Sequence, residues 1–438
     1  MANRWAVLAI LCLSRTSMGL HLQTVAAVAP FLIADLGLSY GEIGVLIGSF
    51  LLPGVFLALP GGLISRRIGD KATLLAALGL LAVGTGLLAT SASFGTALVA
   101  RLLSGAGGTL LTMQVAKIAT DWFTGRELST AIGLLLGTFP FGAALAMATL
   151  GGVAAASSWR TAVVLIAASA VPIFLVVAFL LRDLPRATAA TDLAPDRRGS
   201  IGGIVNSPVI PKRSEGSHTD PLRAGRIRAA FDHASFNQAE LGAIVLVGAA
   251  FALVNAALVV FSSFMPTLLI GRGYSETDAG VLASWTSWTL IPAVVVAGVL
   301  LDRVRRLMSW LLLSALATAA TCFLLPLVDP SRVPIWAWIV LFGIVSAPVT
   351  VGTMALPGQV LRPENRSLGF GLYFTMNYIG FSLLPPVGGY LLDLTGDRAS
   401  PIWFSGVLYL VIVGLLIGFE WTRRPPNVTP RPACAADG

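Results

Sequence analysis

Two arginines stand inside long runs of apolar residues. Arg15 falls in the run 5–33, with His21 and Gln23 beyond it; Arg101 falls in the run 95–119, with Gln114 and Lys117 beyond it. A guanidinium presents a planar fork of N–H donors that matches a carboxylate or a small oxyanion, so the chemistry these residues predict is anion recognition. The matching acids are missing from the interiors of the runs: Asp35, Glu42, Asp121, Glu127 and Asp393 all lie near ends. An arginine-lined chamber without carboxylates repels an organic cation. It also leaves His21 as the candidate for carrying a coupling proton, since no other side chain in the runs titrates near neutral pH. Asn255 in the run 241–268 and Asn377 in the run 367–391 add polar groups at similar depth. The predicted solute contacts are therefore Arg15, Arg101, Gln23, Asn255 and Asn377. Each also has a structural reading: Arg101 can bind helix-end carbonyls, Lys117 can snorkel, and Gln23 and Asn377 can join neighbouring helices.

The elements that hold these residues follow from composition. The chain is 56% hydrophobic and 11% charged over 438 residues, with a mean hydropathy of +0.83. That leaves too little polar surface to cover two soluble domains. Apolar runs long enough to cross about 30 Å of hydrocarbon recur from end to end. Twelve can be read: 5–33, 42–64, 73–92, 95–119, 129–154, 160–181, 241–268, 278–301, 307–327, 334–358, 367–391 and 401–421. In lipid the backbone must satisfy its own hydrogen bonds, which makes these runs helices and the chain an all-α polytopic membrane protein. The net charge of +8 is distributed accordingly. Arg66, Arg67, Arg126, Arg303, Arg305, Arg306, Arg362 and Arg366 fall in even-numbered joints, and only Arg160, Arg272, Arg332 and Arg398 in odd ones. The positive-inside rule then predicts a bacterial inner-membrane protein with both termini cytoplasmic, and nucleic acid is not an expected partner. Cys12, Cys322 and Cys434 have neither metal-ligand spacing nor a disulfide framework. HExxH, GxSxG and Walker-type motifs are missing, so neither enzyme chemistry nor a cofactor is expected.

The run pattern is duplicated. At one constant offset Pro30 falls on Pro266, Gly37 on Gly273, Ser39 on Ser275, Gly44 on Gly280 and Arg67 on Arg303. A closely similar offset aligns Gly133 with Gly371, Gly142 with Gly380 and Gly151 with Gly389. The expected organisation is a six-helix bundle over 1–181, a cytoplasmic linker over 182–240, a second bundle over 241–421 and a tail over 422–438. The linker is rich in arginine, proline, serine and glycine, with one surface helix expected around 221–234.

Two stretches carry a family resemblance. GGLISRRIGDK (61–71) and GVLLDRVRR (298–306) repeat a charged joint between runs two and three and between eight and nine, and RLLSGAGG (101–108) follows an arginine with glycines. With twelve spans in two sixes, the chain resembles the major facilitator superfamily, the handling of whose halves as repeats is well established. It is also loosely similar to bacterial cyanate or nitrate porters, although runs two and eight lack the buried arginine that nitrate porters carry. Gly62, Arg67, Gly69 and Lys71 match the family motif, while Arg66 and Asp70 exchange its acid and base.

The resemblance implies a monomeric secondary transporter working by alternating access, with spans one, four, seven and ten around a central cavity. It implies gating at Gly62, Arg66, Arg67, Asp70, Asp302 and Arg303, with Asp121 as the expected ion-pair partner of Arg66 or Arg67. The function expected is transport of a small anionic solute across the lipid bilayer, with a proton or counter-anion as the coupling partner. Efflux of drugs or metabolites through an apolar cavity is the alternative within transport; a membrane sensor that keeps the fold without flux is the alternative outside it.

Overall fold

The computed structural model describes residues 4–57, 65, 67–123, 125–181, 237–304, 306–329, 334–362 and 365–423. Fourteen helices are described here: α1 (Arg4–Leu36), α2 (Tyr40–Ser49), α3 (Pro53–Leu57), α4 (Asp70–Ala89), α5 (Phe94–Trp122), α6 (Gly125–Ala156) and α7 (Trp159–Leu180), then α8 (Gln238–Gly271), α9 (Glu276–Arg303), α10 (Leu307–Leu324), α11 (Ile335–Ala355), α12 (Pro357–Val360), α13 (Arg366–Thr395) and α14 (Ser400–Arg423). Among the described residues, eleven segments are long and apolar enough to cross a membrane. The twelfth expected span is α13, a helix of 30 residues that carries Pro385, Pro386 and Asp393. Large apolar side chains cover the outside; Phe179 is 78% exposed and Phe56 71% exposed, as lipid-facing residues would be.

Two expected boundaries differ. Run 42–64 is not one helix: it breaks after α2, because Pro53 has no N–H to continue the ladder. The chain tightens there, with Leu51 N–H donating to Gly48 O (3.1 Å) and Gly54 N–H to Leu51 O (2.9 Å). The expected linker 182–240 overlaps the start of α8, which begins at Gln238. Glu240 thus belongs to the helix; it is buried and accepts from the Arg362 N–H and Asn365 Nδ2, both at 2.9 Å. The rest of that linker, with the helix expected at 221–234, and the tail beyond Arg423 lie outside the described residues.

The duplication is visible as shared jobs. Gly37 (φ 66°) and Gly273 (φ 88°) both turn the chain out of a long helix in the left-handed region, where a Cβ is strained. Two residues on, Ser39 and Ser275 each cap the next helix by accepting from the amide three residues later. Helix order places these turns at the end of the molecule away from both termini, called here the far face; the terminal face is the other.

At the far face the two halves meet along two matched seams. In the first, α2 lies on α13: a Cβ on Gly44 would stand 2.4 Å from Pro385 O, one on Gly48 2.2 Å from Ser382 O, and one on Gly389 2.0 Å from Tyr40 O. In the second, α9 lies on α6: a Cβ on Gly280 would stand 2.6 Å from Met147 O, and one on Gly151 3.0 Å from Glu276 O. The glycines that match in sequence therefore let backbone meet backbone in both seams. Towards the terminal face the contact loosens. A Cβ on Gly137 would only reach Ile291 at 4.0 Å, and Cβ atoms at Gly133, Gly298 and Gly371 would meet nothing within 4 Å. The structure is closed at the far face.

Candidate functional site

Among the described residues, Arg101 is one of the largest wholly buried side chains. Of the two readings the sequence offered for it, solute contact and carbonyl binding, its surroundings favour the second. Its Nε donates to Leu46 O (2.9 Å), one terminal nitrogen to His21 O (2.8 Å) and the other to Leu22 O (3.0 Å). The Phe50 ring closes the pocket, 4.6 Å from the guanidinium carbon. Helical carbonyls carry a second lone pair, so three of them can hold a buried cation without breaking their own ladders. Arg101 thereby ties α1, α2 and α5 together. Charge-assisted bonds of this kind contribute about 1.5–3 kcal/mol each. Arg101→Lys, whose compact ammonium cannot reach all three carbonyls, is expected to lower the thermal unfolding temperature of purified protein by several degrees, whether or not a solute is present. A melting temperature equal to wild type would refute the clamp.

Arg15 is placed differently. It stands on α1, roughly 16 Å along the helix axis from its start. The side chain is half-buried, and its Nε is enclosed with no hydrogen-bond partner among the described residues. No carboxylate pairs with it among those residues. The Phe139 ring of α6 lies 6.0 Å from its guanidinium carbon. On the second half, the Tyr378 ring of α13 covers Gly54, where a Cβ would come within 2.5 Å.

The expected amide contacts fall into two pairs. Gln23 Nε2 donates to Ser262 Oγ at 3.4 Å, a bridge from α1 to α8 and so between halves. Asn255 Nδ2 donates to Asn377 Oδ1 (3.0 Å) and to Phe251 O (2.9 Å), joining α8 to α13 within the second half. Arg15, Gln23, Asn255 and Asn377 thus lie on α1, α8 and α13, and α8 contacts both of the other two. Tyr373, a further polar residue of α13, is fully buried and donates to Thr353 O at 3.1 Å.

His21 is fully buried. Its Nδ1 lies 2.7 Å from Ser17 O, a geometry that requires the proton on Nδ1. Nε2 is then the bare nitrogen, and it has no partner among the described residues. The carbonyl of the same residue holds Arg101.

The expected gate at the terminal face is rearranged. Asp121 does not pair with Arg67; its ion pair is with Lys117 on its own helix, at 4.0 Å. Lys117 chiefly contacts Asp70, which also accepts from Ser65 Oγ (2.5 Å) and Gln114 Nε2 (2.7 Å). Asp70 at the start of α4 is thus tied to α5 within the first half, the acid of the exchanged motif finding its base one helix away. Asp302 and Arg303 are exposed at the end of α9 and form no ion pair among the described residues. Gly62 and Arg66 lie outside the described residues. Sequence reading missed Asp393, whose carboxylate reaches across the halves.

Known proteins share this design. The family model described as Major Facilitator Superfamily matches residues 8–277 and 244–436. A hexuronate transporter of Bacillus subtilis (strain 168) is 32% identical over 138 residues, which is 32% of this chain and 33% of that protein. The chain thus spans about a third of that relative. The multidrug efflux protein YfmO of the same organism is 26% identical over 434 residues, covering 94% of this chain and 91% of its own. A solved bacterial homologue of the human lysosomal transporter Spinster, captured in an inward-facing and occupied conformation, superposes with a TM-score of 0.70 at 16% identity over 96% of this chain and 97% of that one; it speaks for the fold alone. Duplicated helical halves, matched glycine seams and a family match running almost from end to end lead to one conclusion: the chain belongs to the Major Facilitator Superfamily.

Proposed function

We propose that this membrane transporter moves a small organic anion by alternating access, with Arg15 as the principal contact for its negative group. The observation that carries the reading is the half-buried guanidinium of Arg15, whose enclosed Nε lacks a partner and which no described carboxylate neutralises. An ionisable residue at that depth costs roughly 2.5–3.5 kcal/mol on insertion scales, and a solute carboxylate would offset it. Arg101 adds no direct contact in this reading, since carbonyls occupy its nitrogens. Gln23, Asn255 and Asn377 border the solute through amide groups, and Phe139 flanks it with its ring. The hexuronate transporter, named for a sugar acid, supports the anionic class.

The far face closed in this structure is the periplasmic one if the termini are cytoplasmic, as the arginine distribution indicates. The two seams then separate when the terminal face closes. Arg67, Asp302 and Arg303 remain the candidates for contacts made in that other state.

The test is flux. Purified protein in proteoliposomes is expected to exchange a labelled carboxylate probe such as glucuronate or benzoate, and Arg15→Ala to lose that exchange while keeping the wild-type melting temperature. Efflux of apolar drugs is the second reading. It is favoured by the nearly full-length match to a multidrug efflux protein. In that case ethidium would move and Arg15→Ala would be tolerated.

His21 has no part in coupling in this reading. A second proton on Nε2 would meet no described acceptor, and it would place a second buried cation beside Arg101. His21→Gln is expected to leave the pH dependence of flux unchanged, measured as initial rates between about pH 5 and 8, the window in which an ordinary histidine titrates. A profile flattened by the substitution would return His21 to the coupling path.

A further inference from the structure

We propose that Asp393 is a positioning residue for transport: its carboxylate clasps the start of α2 across the two halves and holds the far face shut. The inference rests on the alternating-access reading for its purpose, but not for its geometry. Asp393 Oδ1 accepts from the Tyr40 N–H at 2.9 Å, and Oδ2 accepts from the Gly41 N–H at 2.7 Å. These are the first two amides of α2, which have no partner inside their own helix. The same helix start already has a local cap: Ser39 Oγ accepts from the Glu42 N–H (3.1 Å), and Glu42 Oε2 accepts from the Ser39 N–H (2.8 Å). The two sets take different amides, so Asp393 completes the end rather than duplicating the cap.

Two features separate this contact from ordinary helix capping. Asp393 lies in the last turn of α13, two residues before its end at Thr395. A negative charge there opposes the dipole of its own helix and favours only the positive end of another. Second, the duplication does not supply it. Gly151 and Gly389 occupy matched seam positions, and four residues beyond each stand Ala155 in the first half and Asp393 in the second. Both seams have the glycines, but only one carries the carboxylate. The contact also needs backbone proximity: a Cβ on Gly41 would stand 3.0 Å from Asp393 Oδ2, and one on Gly389 2.0 Å from Tyr40 O. Separating α2 from α13 by a few ångströms removes both hydrogen bonds at once, so the clasp exists only in the closed state. It contributes to the closed-to-open ratio rather than to the folding of either half.

The experiment is a pulsed electron–electron distance measurement on full-length protein in lipid nanodiscs without added solute. Spin labels go on Ala92→Cys and Leu327→Cys, exposed far-face positions in opposite halves, with Cys12, Cys322 and Cys434 replaced by serine. Asp393→Asn and Asp393→Ala are expected to raise the population of long distances relative to short ones by about tenfold, the effect of losing charge-assisted bonds from one state. Asp393→Glu should stay close to wild type because it keeps the charge. Glu42→Gln, which weakens the cap of α2 without crossing the halves, should leave the distribution unchanged. Distributions for Asp393→Asn and Asp393→Ala that overlay wild type, or an equal shift in Glu42→Gln, would overturn the clasp. The measurement reads closure with no solute, so it stands or falls separately from the anion assignment.

Discussion

Arg15→Ala is expected to lower carboxylate exchange by about a hundredfold or more, with the fold intact. Two charge-assisted bonds from one guanidinium to one carboxylate, at about 1.5–3 kcal/mol each, set that magnitude. The structural cost of the change is expected to be small: the Arg15 Nε has no partner among the described residues, and the Phe139 ring is 6.0 Å from the guanidinium carbon. Arg101 gives the contrasting result. Its three carbonyl bonds make it a clamp, so Arg101→Lys should reduce stability first and flux only as a consequence. Arg15→Lys sharpens the comparison. It retains the charge but loses the planar fork, and should recover part of the affinity while discriminating less well among carboxylates. Binding is read by solute-dependent thermal shifts, and flux by initial rates.

The second large effect is expected at the seams. Gly48→Val and Gly389→Val each drive a branched side chain into a backbone carbonyl that a bare Cβ would already approach at 2.2 and 2.0 Å. No rotamer relieves a Cβ contact, so α2 and α13 must separate by an ångström or more, and the far face can no longer close. Overpacking of this type costs about 1–3 kcal/mol when a core can adjust. Here the molecule has another state available, and the cost goes into the conformational equilibrium. The expected result is a protein that folds, shows long far-face distances and exchanges solute at a few per cent of the wild-type rate or less. Gly133→Ala and Gly371→Ala, matched positions where a Cβ meets nothing within 4 Å, should be close to wild type. A Gly48→Val protein with normal flux would mean that the seam does not have to re-form during the cycle.

Much of the scaffold is legible in the chain because lipid leaves few options. Apolar runs of spanning length must be helices. The constant register of Gly37 with Gly273, Ser39 with Ser275 and Gly44 with Gly280 shows the duplication before any coordinates, and the structure gives each pair the same task. The break at Pro53 was not read: the apolar run passes over it without a change in hydropathy, although the missing N–H of proline is what ends the ladder there.

Partner choice was the part that could not be read. Arg101 and Arg15 look alike in sequence, each an arginine in an apolar run, but Arg101 is satisfied by carbonyls of Leu46, His21 and Leu22. Backbone acceptors leave no mark on residue type. Asp121 was the obvious acid for the charged joint, yet Lys117 sits one turn before it and reaches both Asp121 and Asp70. Asp393 read as a loop-end acid because its role depends on which helix start lies opposite, more than 350 residues away in the chain. The exchanged acid and base of the joint made the pattern visible without showing that Asp70 turns to α5.

The anionic solute is the central claim, and one comparison tests it most directly. Proteoliposomes containing wild type or Arg15→Ala are given labelled glucuronate, labelled benzoate and ethidium in parallel. The account predicts that wild type exchanges at least one carboxylate, that Arg15→Ala abolishes this exchange, and that ethidium is not moved. Ethidium transport equal in wild type and Arg15→Ala, with no exchange of either carboxylate, would contradict it.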